Sequence, residues 1–150
     1  MPCHPTFKAL PMFQFPDLLN VPYLSFDTET TGISPAHGAR MYSFTISTPD
    51  GLDLHYDNRF HPGANDWLRD TMKRYKGRVI CHNASFDYRH AAAVGTQLPI
   101  EQLRDTCIQQ TLINEHETTY SLDYLSKKYC KTHKTGDELY TALAGQFGGK

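Results

Sequence analysis

The sequence predicts an α/β fold, a mixed sheet of three antiparallel strands followed by parallel ones, with helices on its faces. Three observations point there. Short apolar runs with partial two-residue alternation fill residues 23 to 57, the pattern of half-buried strands. Trp67, Leu68, Met72 and Tyr75 then recur at helical spacing. A short apolar run, Val79 to Cys81, next leads through a polar turn into a second helical stretch, and strands alternating with helices are the mark of parallel pairing by crossover.

Taken in order, the lead to Pro22 is irregular, because Pro2, Pro5, Pro11 and Pro16 interrupt it and proline has no backbone N–H to donate. A first strand is predicted over 23 to 28, ended by Thr30, Thr31 and Gly32. The second covers about 39 to 48, where Met41, Tyr42, Phe44 and Ile46 alternate in part. Pro49-Asp50-Gly51 turns it into a third at 52 to 57. A helix follows over 64 to 76, with Trp67 as a core anchor in preference to a platform for stacking bases. The strand at 78 to 82 runs into a helix at 85 to 94, capped by Asn83 or Ser85 and closed by Gly95. Pro99 opens a connection to a strand at about 102 to 105, and helices near 106 to 115, 121 to 129 and 137 to 147 complete the chain. Residues 1 to 22 thus form a lead and residues 23 to 150 one domain, a usual size for a single core.

A hydrophobic content of 39% describes a folded chain and excludes intrinsic disorder. The balance of 15 basic against 16 acidic side chains excludes a broad nonspecific nucleic-acid clamp. A locally acidic, metal-centred site that needs few phosphate contacts stays compatible with it. Arg40, Lys73, Arg74, Lys127, Lys128 and Lys131 are the candidates for such contacts, and solvated surface is the better reading of each. Cys3, Cys81, Cys107 and Cys130 show no paired spacing, so neither a zinc knuckle nor a disulfide framework is expected. Cys81 falls in an apolar strand as a core thiol, in keeping with a reducing cytoplasm. No apolar run has signal-peptide or membrane-spanning character, and the eight histidines lack zinc-site spacing.

Chemistry concentrates in two segments. Residues 23 to 31 read Tyr-Leu-Ser-Phe-Asp-Thr-Glu-Thr-Thr, placing Asp27 and Glu29 at a strand's mouth. Residues i and i+2 of a strand share a face, so both carboxylates can address one hard divalent cation such as Mg²⁺ or Mn²⁺. Alone, the pair also reads as a solvated strand end. The second segment, Arg78 to His90, puts Asp87 in the first turn of a helix just beyond a strand. There it either complements the helix dipole or faces the first two acids across the sheet.

Phe-Asp-Thr-Glu-Thr-Thr-Gly at 26 to 32 resembles the first motif of the DEDD superfamily of 3′→5′ exonucleases, and His-Asn-Ala-Ser-Phe-Asp at 82 to 87 resembles its second. The likeness is strongest to the proofreading domain of phage-type family A DNA polymerases. Asp105-Thr106 with the run to Leu112, and Tyr120 to Leu125, resemble the segments that follow, so that about residues 21 to 147 are covered. The resemblance implies a ribonuclease H-like sheet whose first and fourth strands lie adjacent and parallel, gathering Asp27, Glu29 and Asp87 at their carboxyl ends. It implies two-metal hydrolysis, with Mg²⁺ or Mn²⁺, at the 3′ end of single-stranded DNA. Asp27 would bridge both ions, Glu29 would ligate one and Asp87 the second. Thr28 would offer its backbone to the terminal nucleotide and Thr30 or Thr31 a hydroxyl, while Asn83 and Phe86 would position the penultimate nucleotide. A DNA polymerase domain or subunit is the implied partner, in the cytoplasm of a bacterial or phage-infected cell.

The family's third motif sets a Tyr or His four or five residues before a fourth Asp, and no recognisable copy precedes Gly148-Gly149-Lys150. His133 and Asp137 have the spacing, but Thr135 and Gly136 intervene and Asp137-Glu138-Leu139 reads as the acidic start of a helix. The expectation is therefore a fold truncated at its C-terminus, with weakened metal binding and low or no hydrolysis by this chain alone. Two alternatives stand beside it: a catalytically incomplete module that binds DNA or a protein partner, and one half of a split enzyme.

Overall fold

The computed structural model describes residues 15–132, and the chain divides into two compact units, Met1–Gln109 and Gln110–Lys150. In the first unit, β1 (Tyr23–Thr30), β2 (Met41–Ser47), β3 (Asp53–Asp57), β4 (Arg78–Cys81) and β5 (Leu103–Asp105) form one sheet in the order β3-β2-β1-β4-β5. β1 pairs antiparallel with β2, and β2 with β3; β1 with β4 and β4 with β5 are parallel. This is the mixed sheet the sequence predicts, with the first and fourth strands adjacent. Helices α1 (Ala64–Arg74) and α2 (Ala84–Ala93) supply the crossover segments around β4.

Alternation along β1 decides its two faces. Leu24, Phe26 and Thr28 are buried, whereas Ser25, Asp27 and Glu29 are exposed. Leu24 and Phe26 join Phe44, Ile46, Leu54, Tyr56, Leu68, Met72, Tyr75 and Val79 in one apolar cluster, where each such side chain contributes about 1.5–3 kcal/mol by leaving water. Trp67 packs against this cluster, stacked on Phe15 at 5.5 Å and on Phe44 at 6.4 Å between ring centroids. The end of the proline-rich lead belongs to the core as well, since Leu18 is buried and the Tyr75 hydroxyl donates to the Val21 carbonyl at 2.9 Å.

Element ends shift by one or two residues from the sequence reading, for identifiable reasons. β1 continues through Thr30 instead of stopping at 28, because Glu29 pairs with Ser43 and, past a bulge, Thr30 with Met41. The Pro49-Asp50-Gly51 turn closes as expected, with Gly51 at φ +83° and its N–H donating to the Thr48 carbonyl; glycine adopts that left-handed backbone without steric cost. α1 ends at Arg74, where Tyr75 turns extended. Gly95, at φ +84°, closes α2 with its N–H on the Ala92 carbonyl.

Helix α3 (Thr106–Ile113) follows β5. Within the second unit, α4 (Leu122–Leu125) is a single α-turn, N-capped by Ser121 Oγ, which accepts from Tyr124 N at 3.3 Å, and it runs on as a π-turn over Ser126–Cys130. Glu117 gathers this segment, accepting from Asn114 Nδ2 at 3.0 Å, from the Tyr124 hydroxyl at 2.6 Å and from Lys128. The Lys128 ammonium, then the Tyr124 hydroxyl, hold the Glu117 carboxyl down to about 2. The helix expected at 137 to 147, and the His133 and Asp137 pair, lie outside the described residues. Among those described, no helix is long and apolar enough to cross a membrane.

Candidate active site

The site begins with a mismatch in strand length. β1 pairs with β4 only over Tyr23 to Ser25, but with β2 as far as Thr30. Beyond Ser25 the other edge of β1 therefore lies open at the carboxyl end of β4, and the first turn of α2 fills it. Asp87 Oδ1 accepts the Thr28 N–H at 3.0 Å and the Thr28 hydroxyl at 2.7 Å. Asp87, only 2% exposed, thus stands in for the missing strand neighbour. Its carboxylate satisfies the edge of β1 from the first turn of α2, where it also stands as the acidic residue of that turn.

Asp27 and Glu29 flank Thr28 and project to the other, exposed face. Cross-strand register continues from them in two rows, Asp27 with Thr45 and His55, and Glu29 with Ser43 and Asp57, the last two buried. Burial raises the Asp87 carboxyl to about 6; the Asp27 charge adds to the rise, while the Thr28 hydroxyl and amide oppose it. The Cys81 thiol, buried in β4, is also pushed up, by burial first and then by Asp87, Asp105 and Asp27. Three carboxylates thus impose a negative potential on one end of the sheet, an environment that favours a cation.

All the donors here are carboxylate oxygens, the ligand type of Mg²⁺ and Mn²⁺. Their chemistry fits such an ion. Among the described residues, however, no group of three or more His, Cys, Asp or Glu side chains is gathered closely enough to hold a metal as they stand. Asp87 gives Oδ1 to both Thr28 donors, and Oδ2 takes no part in those two bonds.

The turn before α2 is held from β5. Asn83 adopts a left-handed backbone, φ 65°, and its side chain makes no capping bond. The cap is Asp105, which accepts from Asn83 N at 3.1 Å and Ala84 N at 2.8 Å, and also from Cys107 N at 2.9 Å at the start of α3. The expectation of a cap from Asn83 or Ser85 is corrected here: the left-handed turn aims the orphan amides at the end of β5, and Ser85 Oγ donates instead to Asn83 Oδ1 at 3.2 Å. Asp105-Thr106 ahead of an apolar helical run is itself an N-cap signature for α3; its second duty to α2 has no local signal. Thr106 completes the clamp, 2.9 Å from His82 Nδ1 and donating to the Cys81 carbonyl at 3.3 Å.

The remaining sequence candidates are distributed as follows. Thr28 spends both its amide and its hydroxyl on Asp87. Thr30 Oγ1 donates to the Gly32 carbonyl at 2.8 Å, and Thr31 Oγ1 accepts from Arg40 N at 2.9 Å, so both hydroxyls fasten the β1–β2 connection. Asn83 is exposed at the start of α2, and Phe86, half-buried, lies 4.3 Å from the buried His90 ring. Of the basic candidates, Arg74 pairs with Asp70, Lys127 with Asp123 and Lys128 with Glu117, whereas Arg40, Lys73 and Lys131 are exposed.

Residues 14–143 match a protein family described as 3′-5′ exonuclease. DNA polymerase DpoZ of Vibrio phage phiVC8 is 43% identical over 147 residues, taking in 91% of this chain and 23% of the relative. DNA polymerase DpoZ of Salmonella phage PMBT28 is 37% identical over 135 residues, 90% of this chain and 21% of the relative. The chain therefore spans less than a quarter of the length of these curated relatives. Among solved structures, Brucella melitensis NrnC with bound Mg²⁺ superposes with a TM-score of 0.69 at 22% identity, over 81% of this chain and 60% of that one. The POL domain of Pol1 from M. smegmatis, in complex with DNA primer-template and dNTP, gives 0.66 at 17% identity, over 81% of this chain and 22% of that one. At those identities the structural likeness establishes the fold.

Proposed function

This chain belongs to the 3′-5′ exonuclease family, and on that premise we propose that it acts at the 3′ end of single-stranded DNA, hydrolysing the terminal phosphodiester with the help of divalent cations. The observation that supports this reading is the bond pair from Thr28 to Asp87. It ties the segment of the first acidic motif to that of the second, so that Asp27 and Glu29 stand on either side of the residue that holds Asp87. Mg²⁺ or Mn²⁺, when bound, would neutralise these carboxylates, polarise the scissile phosphate and lower the pKa of a water.

In this reading Asp27, Glu29 and Asp87 would hold the cation. Thr28 positions Asp87 in place of offering its amide to a nucleotide. Thr30 and Thr31 keep the loop beyond β1 in place beside the terminal nucleotide, and Asn83 and Phe86, at the start of α2, meet the penultimate one. Association with a polymerase, by analogy with the phage relatives, belongs to the same proposal. Weak hydrolysis by the isolated chain belongs to the same proposal, resting on the absence of a recognisable third motif in the sequence.

The test is cleavage of a 5′-labelled single-stranded oligonucleotide in Mg²⁺ or Mn²⁺. A slow ladder of products shortened one nucleotide at a time, abolished by Asp27→Ala and by chelator, is the expected result. Cleavage indifferent to Asp27→Ala overturns the assignment. The open ligand set also favours a second reading, a catalytically incomplete module that holds DNA or a protein partner. Tight binding of the oligonucleotide without cleavage at any metal concentration identifies it, whereas cleavage that appears on adding a second polypeptide identifies a split enzyme.

A further inference from the structure

We propose that Tyr42, Arg59 and Phe60, at the corner where β3 ends, form a stacking platform for the single-stranded DNA that leads to the acidic site. The inference rests on the exonuclease reading for the identity of the strand, but its observations are separate. Phe60 is 62% exposed and Tyr42 36% exposed, so neither ring is explained by core packing. The Arg59 guanidinium lies over both, 5.2 Å from the Phe60 centroid and 5.8 Å from that of Tyr42.

The corner is built to hold that guanidinium still. Asp57, itself only 7% exposed, accepts Arg59 Nε at 2.9 Å, Arg59 Nη2 at 2.5 Å and the Arg59 N–H at 2.9 Å. These contacts, led by the side-chain hydrogen bonds, keep the Asp57 carboxyl at about 2. Asn58 Nδ2 donates to the Met41 carbonyl at 3.2 Å, and Phe60 N to the Asp57 carbonyl at 3.0 Å, which fastens the loop to the strands on both sides. The ion pair uses Nε and Nη2, and Nη1 takes no part in it. A planar cation held by Asp57 and lying over two exposed aromatic rings offers stacking faces and a phosphate donor together, the elements from which single-strand grooves are made.

Register puts the platform at the correct end of the sheet. Ser43, next to Tyr42, pairs with Glu29 on one side and with Asp57 on the other. The row from Glu29 to Asp57 thus crosses two strand spacings, about 10 Å, with the platform just beyond it. A strand whose 3′ end lies at Asp27 and Glu29 has this corner within a few nucleotides' reach. The charge balance gives a reason for such a device: with a formal net charge of −1 and an acidic site, the chain cannot rely on phosphate attraction. Stacking is indifferent to base identity, because every base has a π-face.

The experiment measures binding of oligothymidylates from dimer to octamer by the 150-residue chain, in Ca²⁺ to keep the strands uncut, at two salt concentrations. Affinity is expected to rise once the strand is long enough to reach the corner. Phe60→Ala and Tyr42→Ala should each cut the octamer-to-dimer affinity ratio by about tenfold. Phe60→Trp should retain the ratio and report stacking by its fluorescence, whereas Phe60→Leu, which preserves apolar bulk and folding, should behave like Phe60→Ala. A ratio in Phe60→Leu equal to that of the parent overturns the platform. Cleavage lost in Asp27→Ala, with the ratio unaffected by Phe60→Leu, would leave the nuclease reading standing and the platform refuted. A Phe60-dependent ratio in a chain that never cleaves would do the reverse.

Discussion

Asp87 shows how one carboxylate serves stability and chemistry in opposition. Its Oδ1 is fully used by Thr28 while its charge is buried beside Asp27, and an ionised group in that position costs folding free energy until a cation arrives. Asp87→Asn keeps an acceptor for Thr28 and removes the charge. The metal-free protein should then gain on the order of 1–2 kcal/mol, a rise in Tm of about 3–6 °C by calorimetry, together with loss of metal-dependent cleavage. A fall in Tm would show that the carboxylate is better matched to its site than its burial indicates. Thr28→Val tests the other partner: it keeps the N–H and the shape but loses the hydroxyl donor, and should cost about 1–2 kcal/mol in denaturant unfolding. At this scale much was legible in the sequence. The shared face of Asp27 and Glu29 follows from two-residue alternation, and the place of Asp87 in a first turn follows from local helix signals. The bond from Asp87 to Thr28 was not legible, since it depends on β4 ending short of β1.

Elements make the same contrast between local and distant causes. β1 to β3 and α1 announce themselves by periodicity, and the Pro-Asp-Gly turn by its residues. The extra residues of β1 and the capping of α2 do not, because each is set by a segment far away in the chain, β2 in one case and β5 in the other. Asp105 is the clearest instance. Its two oxygens receive the amides of Asn83 and Ala84 and that of Cys107, so α2 and α3 start from one side chain at the end of β5. Asp105→Ala leaves several amides without that acceptor, and should destabilise the chain by about 1–3 kcal/mol. By freeing the turn that presents Asn83 and Phe86, it should also weaken binding of a single-stranded oligonucleotide. Asp105→Asn, which keeps an acceptor oxygen, should recover part of both. Equal unfolding midpoints for Asp105→Ala and the parent would place the caps elsewhere.

At the scale of the whole molecule, the five-stranded order brings together side chains that are 60 residues apart in sequence, from Asp27 to Asp87, and under the proposed function metal affinity is therefore a property of the folded state alone. A ligand that binds only the native chain stabilises it by RT ln(1 + [L]/Kd), about 1.4 kcal/mol at tenfold excess over Kd, or roughly 3–5 °C for a chain of this size. Mg²⁺ or Mn²⁺ should accordingly raise the Tm of the parent chain. Asp27→Ala and Glu29→Ala should each abolish the rise, and Asp87→Asn, although more stable without metal, should lose most of it. Acid separates this site from the two ion pairs outside it. Asp57 and Glu117 are both held at about 2, below their unfolded values, so their contribution is present above about pH 4 and is lost as pH falls towards 2. Metal-induced stabilisation should disappear first on acidification, as Asp87, raised to about 6, takes up its proton; the ion pairs should fail only below about pH 4. A thermal-shift series from pH 7 to pH 2, with and without Mn²⁺, reads both losses. A metal-induced rise that Asp87→Asn retains in full at pH 7 would show that the cation sits on Asp27 and Glu29 alone.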